Sequence, residues 1–183
     1  MKYRMKTLIQ ILALSAAMAG MPITGNWNAD TAKAKVSFSV KGPFGTVNGS
    51  FTGLKSHIQF NEKDLSGSSI SASVEAKTVS TGIGLRNHDL RSKEEWLNVD
   101  KYPLISFQSK KIEKTTDGYK AMGDLTLKGV TKPVAIPFTF VDNGTTGLFK
   151  GHFSIAREDY NVGKPGGKVG SDITITLEVP VSK

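Results

Sequence analysis

Apolar and polar residues alternate along five separate segments of this chain, and no other feature constrains its fold as strongly. The alternation runs through residues 36–40, 70–76, 134–140, 149–155 and 173–179. Successive side chains of a β-strand point to opposite faces, so a period of two places the apolar residues of each segment on one face. Each segment therefore predicts a strand with one buried face and one face toward solvent.

Three longer segments predict further strands with less regular patterns. They cover Val47 to Phe60, Leu104 to Ile112 and Tyr119 to Leu127. In the first of them the apolar phase shifts next to Gly53, which predicts a bulge or a sharp bend at that point. The sequence thus predicts about eight strands, joined by turns rich in Gly, Asn and Asp.

Eight antiparallel strands with one apolar face can pack as a sandwich or close into a barrel. A barrel of eight strands is just wide enough to be filled by its own side chains or to hold one small ligand. Small residues predicted on the inward faces would leave room in the interior unless neighbours fill it; they are Gly49, Gly53, Ala72, Ala76 and Gly151. The alternation alone predicts an all-β fold and leaves both architectures open.

One segment departs from the strand pattern. Residues Leu85 to Asn98 have a helical composition, and the sequence from Ser92 to Glu95 matches a capping box that would open a helix onto Trp96 and Leu97. We predict one short helical segment here. It would either close one end of the sheet as a surface element or act as a lid over an interior site.

The first 19 residues are typical of a cleavable signal peptide. Three basic residues precede an apolar stretch from Thr7 to Ala16, and Ala17-Met18-Ala19 supplies small residues two positions apart. The apolar stretch is interrupted by Gln10 and is shorter than the roughly 20 residues of a membrane-spanning helix. We therefore predict a signal peptide over residues 1–19 and one mature domain over residues 20–183.

Charge and composition argue against several classes of partner and site. Loss of the leader lowers the net charge from +8 to +5, and the remaining lysines are scattered along the chain. A scattered charge does not favour nucleic-acid binding, whereas a transient contact with an anionic membrane stays open. The chain has no cysteine, which excludes disulfides, thiol nucleophiles and a lipid anchor on cysteine.

The sequence also lacks the residue patterns of a metal site, a serine nucleophile or a phosphate-binding loop. His57 and His152 fall on the polar phase of their strands, and no two histidines have the spacing of metal ligands. No Gly-x-Ser-x-Gly sequence is present, and the Gly-Lys spacing in residues 163–170 does not match a phosphate-binding loop. We predict neither a metal site nor an enzyme.

The densest group of charged residues is predicted to form a polar rim. It consists of Arg86, His88, Asp89 and Arg157. These side chains would either be helix caps and surface ion pairs or form a collar at the mouth of a barrel, where they could orient a ligand head group.

Several motifs together resemble the YceI-like family of bacterial proteins. The most specific is the run from Gly123 to Val134, GDLTLKGVTKPV. Residues 86–92 followed by 102–107 form a second match, and residues 157–162 with 169–172 form a third. The resemblance extends from Asn26 to Pro180.

This resemblance implies an all-β fold, an eight-stranded antiparallel lipocalin-like barrel with a long apolar channel. It also implies a periplasmic protein that binds a polyisoprenoid, an isoprenoid quinone or a fatty-acyl chain, with no other cofactor. The residues predicted to contact this lipid are Phe38, Val40, Phe51, Val74, Leu85, Leu90, Trp96, Phe107, Leu125, Phe138, Phe153 and Tyr160. Neither the oligomeric state nor the identity of the lipid follows from the sequence.

Two positions depart from the usual motifs of the family. Asp89 stands where the family usually has histidine, and His88 precedes it by one place. Asn161 stands where the family usually has glycine, and asparagine also tolerates a positive φ. The leading hypothesis is a lipid carrier or store. The alternatives are a stress-related barrel that acts through a protein partner without a bound lipid and, in third place, an enzyme acting on the lipid.

Overall fold

The computed structural model describes residues 25–183, and the predicted signal peptide with its cleavage point lies outside them. The strands are β1 (Asn26–Ala29), β2 (Lys35–Gly42), β3 (Gly45–Phe51), β4 (Lys55–Gln59), β5 (Ser69–Glu75), β6 (Leu104–Thr115), β7 (Gly118–Leu127), β8 (Val130–Asp142), β9 (Thr146–Ala156) and β10 (Asp172–Ser182). One α-helix, α1 (Gly84–Ser92), and two 3-10 turns, Ala76–Thr78 and Arg157–Tyr160, lie in the connections.

The strands close into an antiparallel barrel, as the family resemblance implied. They follow the order β1-β4-β5-β6-β7-β8-β9-β10, and β1 pairs with β10 to complete the ring. The β2–β3 hairpin continues the wall, because β2 pairs with β10 along residues 173–178. If β1 with β2 and β3 with β4 are each counted as one interrupted strand, the barrel has eight strands.

The interruption between β3 and β4 lies where the sequence predicted a bend. Residues 52–54 leave the strand geometry, and Gly53 has a φ of +71°. Glycine adopts a left-handed φ without the steric cost of a side chain, so it suits this break. The apolar phase changes between Phe51 and Leu54 because the chain turns between the two strands.

The barrel wall has a seam between β3 and β5, because β4 pairs with β5 while β3 pairs with β2. The connection after β5 covers this seam. Ser50 and Ser80 exchange two backbone hydrogen bonds of 2.9 Å, and the Thr52 amide donates to Thr78 Oγ1 at 3.1 Å. The loop therefore replaces a strand pairing over a short distance.

The predicted helical segment over Leu85 to Asn98 is confirmed in its first part, which forms α1, but the capping-box interpretation is wrong. Helix α1 begins at Gly84, and Ser92 is its last residue, where its hydroxyl donates to the His88 carbonyl at 2.9 Å. Asn87 instead stabilises the entry to the helix, because its Oδ1 accepts from both the backbone amide and the hydroxyl of Thr81 at 2.8 Å. Across residues 25–183, no helix is long and apolar enough to cross a lipid bilayer.

The two ends of the barrel differ in what closes them. We call the end that carries the connections 43–44, 76–103, 128–129 and 157–171 the helical end. At the opposite, aromatic end, six rings pack with centroids 4.3–5.8 Å apart. They belong to Trp27, Phe60, Tyr119, Phe138, Phe140 and Phe149. These rings close this end, and the Trp27 indole nitrogen donates to the Phe60 carbonyl at 3.1 Å.

Tyr119 carries the polar group of the aromatic end. Its hydroxyl donates to Glu62 Oε1 at 2.6 Å. Burial raises the pKa of Tyr119 from 10.0 to about 12, and the hydrogen bond and the negative charge of Glu62 act in the same direction. The folded protein thus favours the neutral phenol.

We expect this preference to make stability depend on alkaline pH. Below pH 10 the contribution of Tyr119 is fully present, and it is lost as the pH rises from 10 toward 12, because the unfolded state releases its proton first. Urea unfolding at several pH values would measure this loss. In Tyr119→Phe, which cannot ionise there, the fall in stability over this range should be smaller; an equal fall in both proteins would contradict the assignment.

Candidate functional site: an apolar cavity inside the barrel

A cavity of about 250 Å³ lies inside the barrel, between the aromatic end and the helical end. Inward-facing residues of β2 to β10 line it, together with side chains from the connections at the helical end. The lining is apolar apart from Ser37, Ser56, Ser73 and Ser106. A largely apolar cavity of this kind suits an apolar ligand.

Most of the predicted lipid contacts lie on the wall of this cavity. The structure brings together Phe38, Phe51, Val74, Leu90, Phe107, Leu125, Phe138 and Phe153. Seven of these belong to strands, four of them in segments where a regular period of two identified the inward face, and Leu90 reaches the cavity from α1. Contact of these residues with a ligand stays a prediction.

The other four predicted residues lie outside the lining of this cavity, and their contact with a ligand stays a prediction. Val40 follows Phe38 on β2 toward the hairpin turn, and Leu85 is 74% exposed in the first turn of α1. Trp96 packs at the helical end against Gly163, where an added Cβ would lie 2.8 Å from the ring. Tyr160 is buried in the cluster that covers this end of the cavity. The rings of Trp96 and Tyr160 thus pack in the connections that cover the helical end of the cavity.

Residues of the connections that sequence reasoning missed complete the wall. Val79, Leu97 and Val162 are buried at the helical end and line the cavity there. Two of them adjoin 3-10 turns, whose short length gives no repeating pattern. Their apolar character was the available signal, and in irregular segments it does not show which way a side chain points.

The small inward residues contribute unequally to the space. Ala72 and Gly151 line the cavity, whereas the ring of Phe38 occupies the space above Gly49 on the neighbouring strand. Gly53 is exposed at the break between β3 and β4, and Ala76 is buried in the turn after β5. Of the five small residues predicted to leave space inside the barrel, only Ala72 and Gly151 line the cavity.

Ser56 is the polar residue on the inward phase of β4, between Leu54 and Ile58. Its hydroxyl oxygen is buried and has no hydrogen-bond partner among residues 25–183. The inward Ser109 of β6 differs, because it is buried and its Oγ accepts from the Ile70 amide at 2.8 Å. A buried hydroxyl without a partner destabilises the fold, whereas one that satisfies a backbone amide stabilises it.

We expect opposite effects from removing these two hydroxyl groups. Ser56→Ala should leave the free energy of unfolding unchanged or raise it by about 1 kcal/mol, because it removes an unsatisfied polar atom. Ser109→Ala should lower it by about 1–3 kcal/mol, because the Ile70 amide loses its acceptor. Urea denaturation of both variants measures the difference. A clear loss of stability in Ser56→Ala would show that its hydroxyl has a partner in solution.

Arg157 does not belong to a polar rim, and this prediction is wrong. Its side chain is 2% exposed, and its guanidinium nitrogens donate to four backbone carbonyls at 2.8–3.2 Å. The acceptors are Val162, Lys164, Val169 and Gly170. Glu158 adds an ion pair of 2.9 Å. These hydrogen bonds hold the loop before β10 in place.

The remaining rim residues lie on α1 and do not join Arg157. Asp89 forms an ion pair of 2.8 Å with Lys93 on the helix surface. His88 is exposed, and Arg86 is half-buried. Their role as a collar for a head group stays a prediction. The other departure from the family motif is accommodated as expected, because Asn161 adopts a left-handed φ of +56°.

Comparison with known proteins identifies the family. A profile of the YceI-like domain matches residues 27–181, which is nearly all of the described chain. This chain belongs to the YceI-like family. The match confirms the resemblance of the motifs and lies within the domain predicted over residues 20–183, whose boundaries stay a prediction.

Relatives in the YceI-like family match over nearly their full length. The UPF0312 protein ECA1782 of Pectobacterium atrosepticum is 30% identical over an alignment of 184 positions, which covers 95% of each chain. The structure of BcnA from Burkholderia cenocepacia superimposes with a TM-score of 0.79 at 26% identity, covering 85% of this chain and all of that one. A polyisoprenoid-binding domain from Saccharophagus degradans, implicated in plant cell wall breakdown, has a TM-score of 0.67 at 12% identity and covers 85% of this chain and 97% of its own. At this low identity, the likeness to the Saccharophagus degradans domain shows only that the two proteins share a fold.

Proposed function

We propose that this protein binds one long apolar lipid, an isoprenoid or fatty-acyl chain, inside the barrel as a carrier or store. The observation that carries the proposal is the apolar cavity of about 250 Å³ at the centre of the fold. For comparison, an engineered apolar cavity of about 150 Å³ is enough to bind benzene. A domain with the same fold is described as polyisoprenoid-binding, which supports the choice of ligand.

The free energy of burial favours a long chain over a short one. Each buried methylene contributes about 0.8 kcal/mol, so ten of them contribute roughly 8 kcal/mol. Association costs about 4–15 kcal/mol in lost translation, rotation and ordering. A short chain would therefore bind weakly, and a chain of several prenyl units or a long acyl chain gains enough. The proposal includes no chemical step on the lipid.

Native mass spectrometry of the protein purified from the producing bacterium, followed by lipid extraction, tests this proposal. We expect one prenyl or acyl lipid per chain. A protein that is consistently empty would overturn the proposal and favour the action of the barrel through a protein partner. Chemical conversion of the extracted lipid on incubation with the protein would contradict the proposal that the protein binds the lipid without reacting with it.

The proposed compartment is the periplasm, and the leader pattern in residues 1–19 supports it. Cell fractionation with amino-terminal sequencing of the purified protein tests it. We expect the protein in the periplasmic fraction with a new amino terminus near residue 20. Retention of the leader in a cytoplasmic fraction would contradict export and leave the lipid-binding test unaffected.

A further inference from the structure

The turn between β2 and β3 holds a large apolar side chain in solvent. Phe44 is 102% exposed, more than any other large apolar residue among residues 25–183. Its neighbours in the turn, Pro43 and Gly45, are also exposed. A fully exposed phenylalanine at a protruding tip gains nothing from the fold and suits insertion into an apolar phase.

The hairpin presents Phe44 in a defined way. Gly42 pairs with Gly45 across the turn, and Lys41 pairs with Thr46 below it, so the turn contains two residues. Gly45 has a φ of +124°, which a residue with a side chain rarely adopts. A tight turn on a paired ladder keeps the ring away from the barrel wall.

The hairpin and the loop beside it both carry lysines, and these two segments contain no acidic residue. Residues 41–46 and 163–170 contain Lys41, Lys164 and Lys168 and no Asp or Glu. The loop over 163–170 is held beside the hairpin, because the Gly170 amide donates to the Lys41 carbonyl at 2.7 Å. Lys164 lies 3.6 Å from Glu95 with its side chain largely exposed. Lys41 and Lys168 are exposed and have no carboxylate within ion-pair distance among residues 25–183.

Other exposed apolar side chains share this end of the barrel. Ile83 and Leu85 are exposed at the start of α1, and Leu104 is exposed at the start of β6. With Phe44, four of the five large exposed apolar residues of the described chain belong to the helical end, while Val141 lies at the aromatic end. The asymmetry marks the helical end as the end that exposes apolar side chains.

We propose that the β2–β3 tip, with the lysines of the loop over 163–170, docks on the surface of an anionic lipid bilayer. Phe44 would enter the boundary between head groups and acyl chains, where aromatic rings are favoured. The lysines would lie at the level of the anionic phosphates, whose surface potential attracts basic residues. The docking surface is on the outside of the barrel and does not depend on the proposed lipid-binding cavity.

Sedimentation with vesicles tests the docking surface. We expect the purified protein to bind vesicles of phosphatidylethanolamine with phosphatidylglycerol, and to bind much less to phosphatidylcholine vesicles. Binding should weaken as the salt concentration rises, because the attraction to the lysines is screened. No binding to the anionic vesicles would overturn the proposal and favour a protein partner for this face.

Two variants and a matched control assign the binding to the tip. Phe44→Ser should lower the partition coefficient about tenfold, through the loss of one buried aromatic ring. The pair Lys41→Gln and Lys168→Gln should reduce the salt dependence. Val141→Ser, which removes an exposed apolar residue at the aromatic end, should bind like the parent protein. Unchanged binding of Phe44→Ser, or an equal loss in Val141→Ser, would overturn the proposal.

This test separates docking from lipid binding in the cavity. Phe44 does not line the cavity, so Phe44→Ser should keep its lipid content in native mass spectrometry. Loss of vesicle binding with retained lipid supports docking at the tip. A protein without internal lipid that still binds anionic vesicles through Phe44 would contradict the proposed function and leave the docking surface standing.

Discussion

Replacing Arg157 by alanine is expected to lower the free energy of unfolding by about 3–5 kcal/mol, the range found when one partner of a buried charged network is removed. The guanidinium is 2% exposed and satisfies four backbone carbonyls in the connection before β10. Alanine would leave these carbonyls buried without donors. Urea denaturation followed by circular dichroism measures the change.

Two further variants show whether the geometry of the guanidinium is what matters. Arg157→Lys keeps the positive charge but has a single ammonium group, which cannot reach four carbonyls in a planar arrangement, so it should recover only part of the loss. Lys132→Ala breaks the exposed ion pair with Asp159, 3.0 Å long, and should cost less than about 1 kcal/mol. An Arg157→Ala protein as stable as Lys132→Ala would disprove the role assigned to this network.

The role of Arg157 illustrates what the sequence did not predict. Its acceptors lie 5 to 13 residues further along the chain, in a loop without periodicity. Charged residues are usually exposed, so a position at the start of the charged run Arg157-Glu158-Asp159 suggested a polar rim. Only the closure of the loop over the arginine shows that the side chain is buried.

The strands could be predicted because their signal is local. In the regularly alternating segments each inward residue is two positions from the next, so Phe38, Val74 and Phe153 could be assigned to the inward face without knowledge of the neighbouring strands. The closure of the barrel could not be predicted in this way, because it depends on pairing between β1 and β10 at opposite ends of the chain. Alternation is compatible with a sandwich as well, and the family motifs were needed to choose the barrel.

The residues that open the helix were assigned wrongly for a related reason. A capping box is a short pattern, and Ser92 with Glu95 satisfies it by composition while the chain there is leaving the helix. The contact that stabilises the start of α1 joins Asn87 to Thr81, six residues apart and across the first turn. A search for a capping residue directly before the helix would not find it.

Phe38→Asp is expected to abolish retention of the lipid, with a loss of affinity of at least hundredfold. Phe38 lies on the cavity wall and packs against Phe51, with ring centroids 5.6 Å apart. An aspartate would place a carboxylate against an apolar chain, and burying an unpaired charge costs several kcal/mol, where each 1.4 kcal/mol is tenfold in affinity. Native mass spectrometry of the purified variant measures the bound lipid, and circular dichroism verifies the fold.

Position 38 is a sharper test than position 138, which the sequence also placed on the wall. Phe138 belongs to the aromatic end and contacts Phe60, Tyr119 and Phe149, so a charge there would disturb the core as well as the cavity. Phe38 is half-buried, and its neighbour Ser39 on the outward phase of β2 provides the matched control. Ser39→Asp adds the same charge outside the wall and should retain the lipid. A folded Phe38→Asp protein that keeps one lipid per chain would show that this face of β2 does not contact the ligand.

A variant without added charge separates exclusion of the ligand from repulsion by the carboxylate. Ala72 lines the cavity on β5, opposite Ser56 on β4 and Phe107 on β6. Ala72→Phe would direct a ring into space that the small side chain leaves open. We therefore expect the folded variant to bind no lipid, or a lipid with a shorter chain. Enlarging a tightly packed core costs about 1–3 kcal/mol, whereas filling an existing cavity should cost less. Lipid loss in both Phe38→Asp and Ala72→Phe, with retention in Ser39→Asp, would locate the ligand between β2 and β5, at the middle of the barrel.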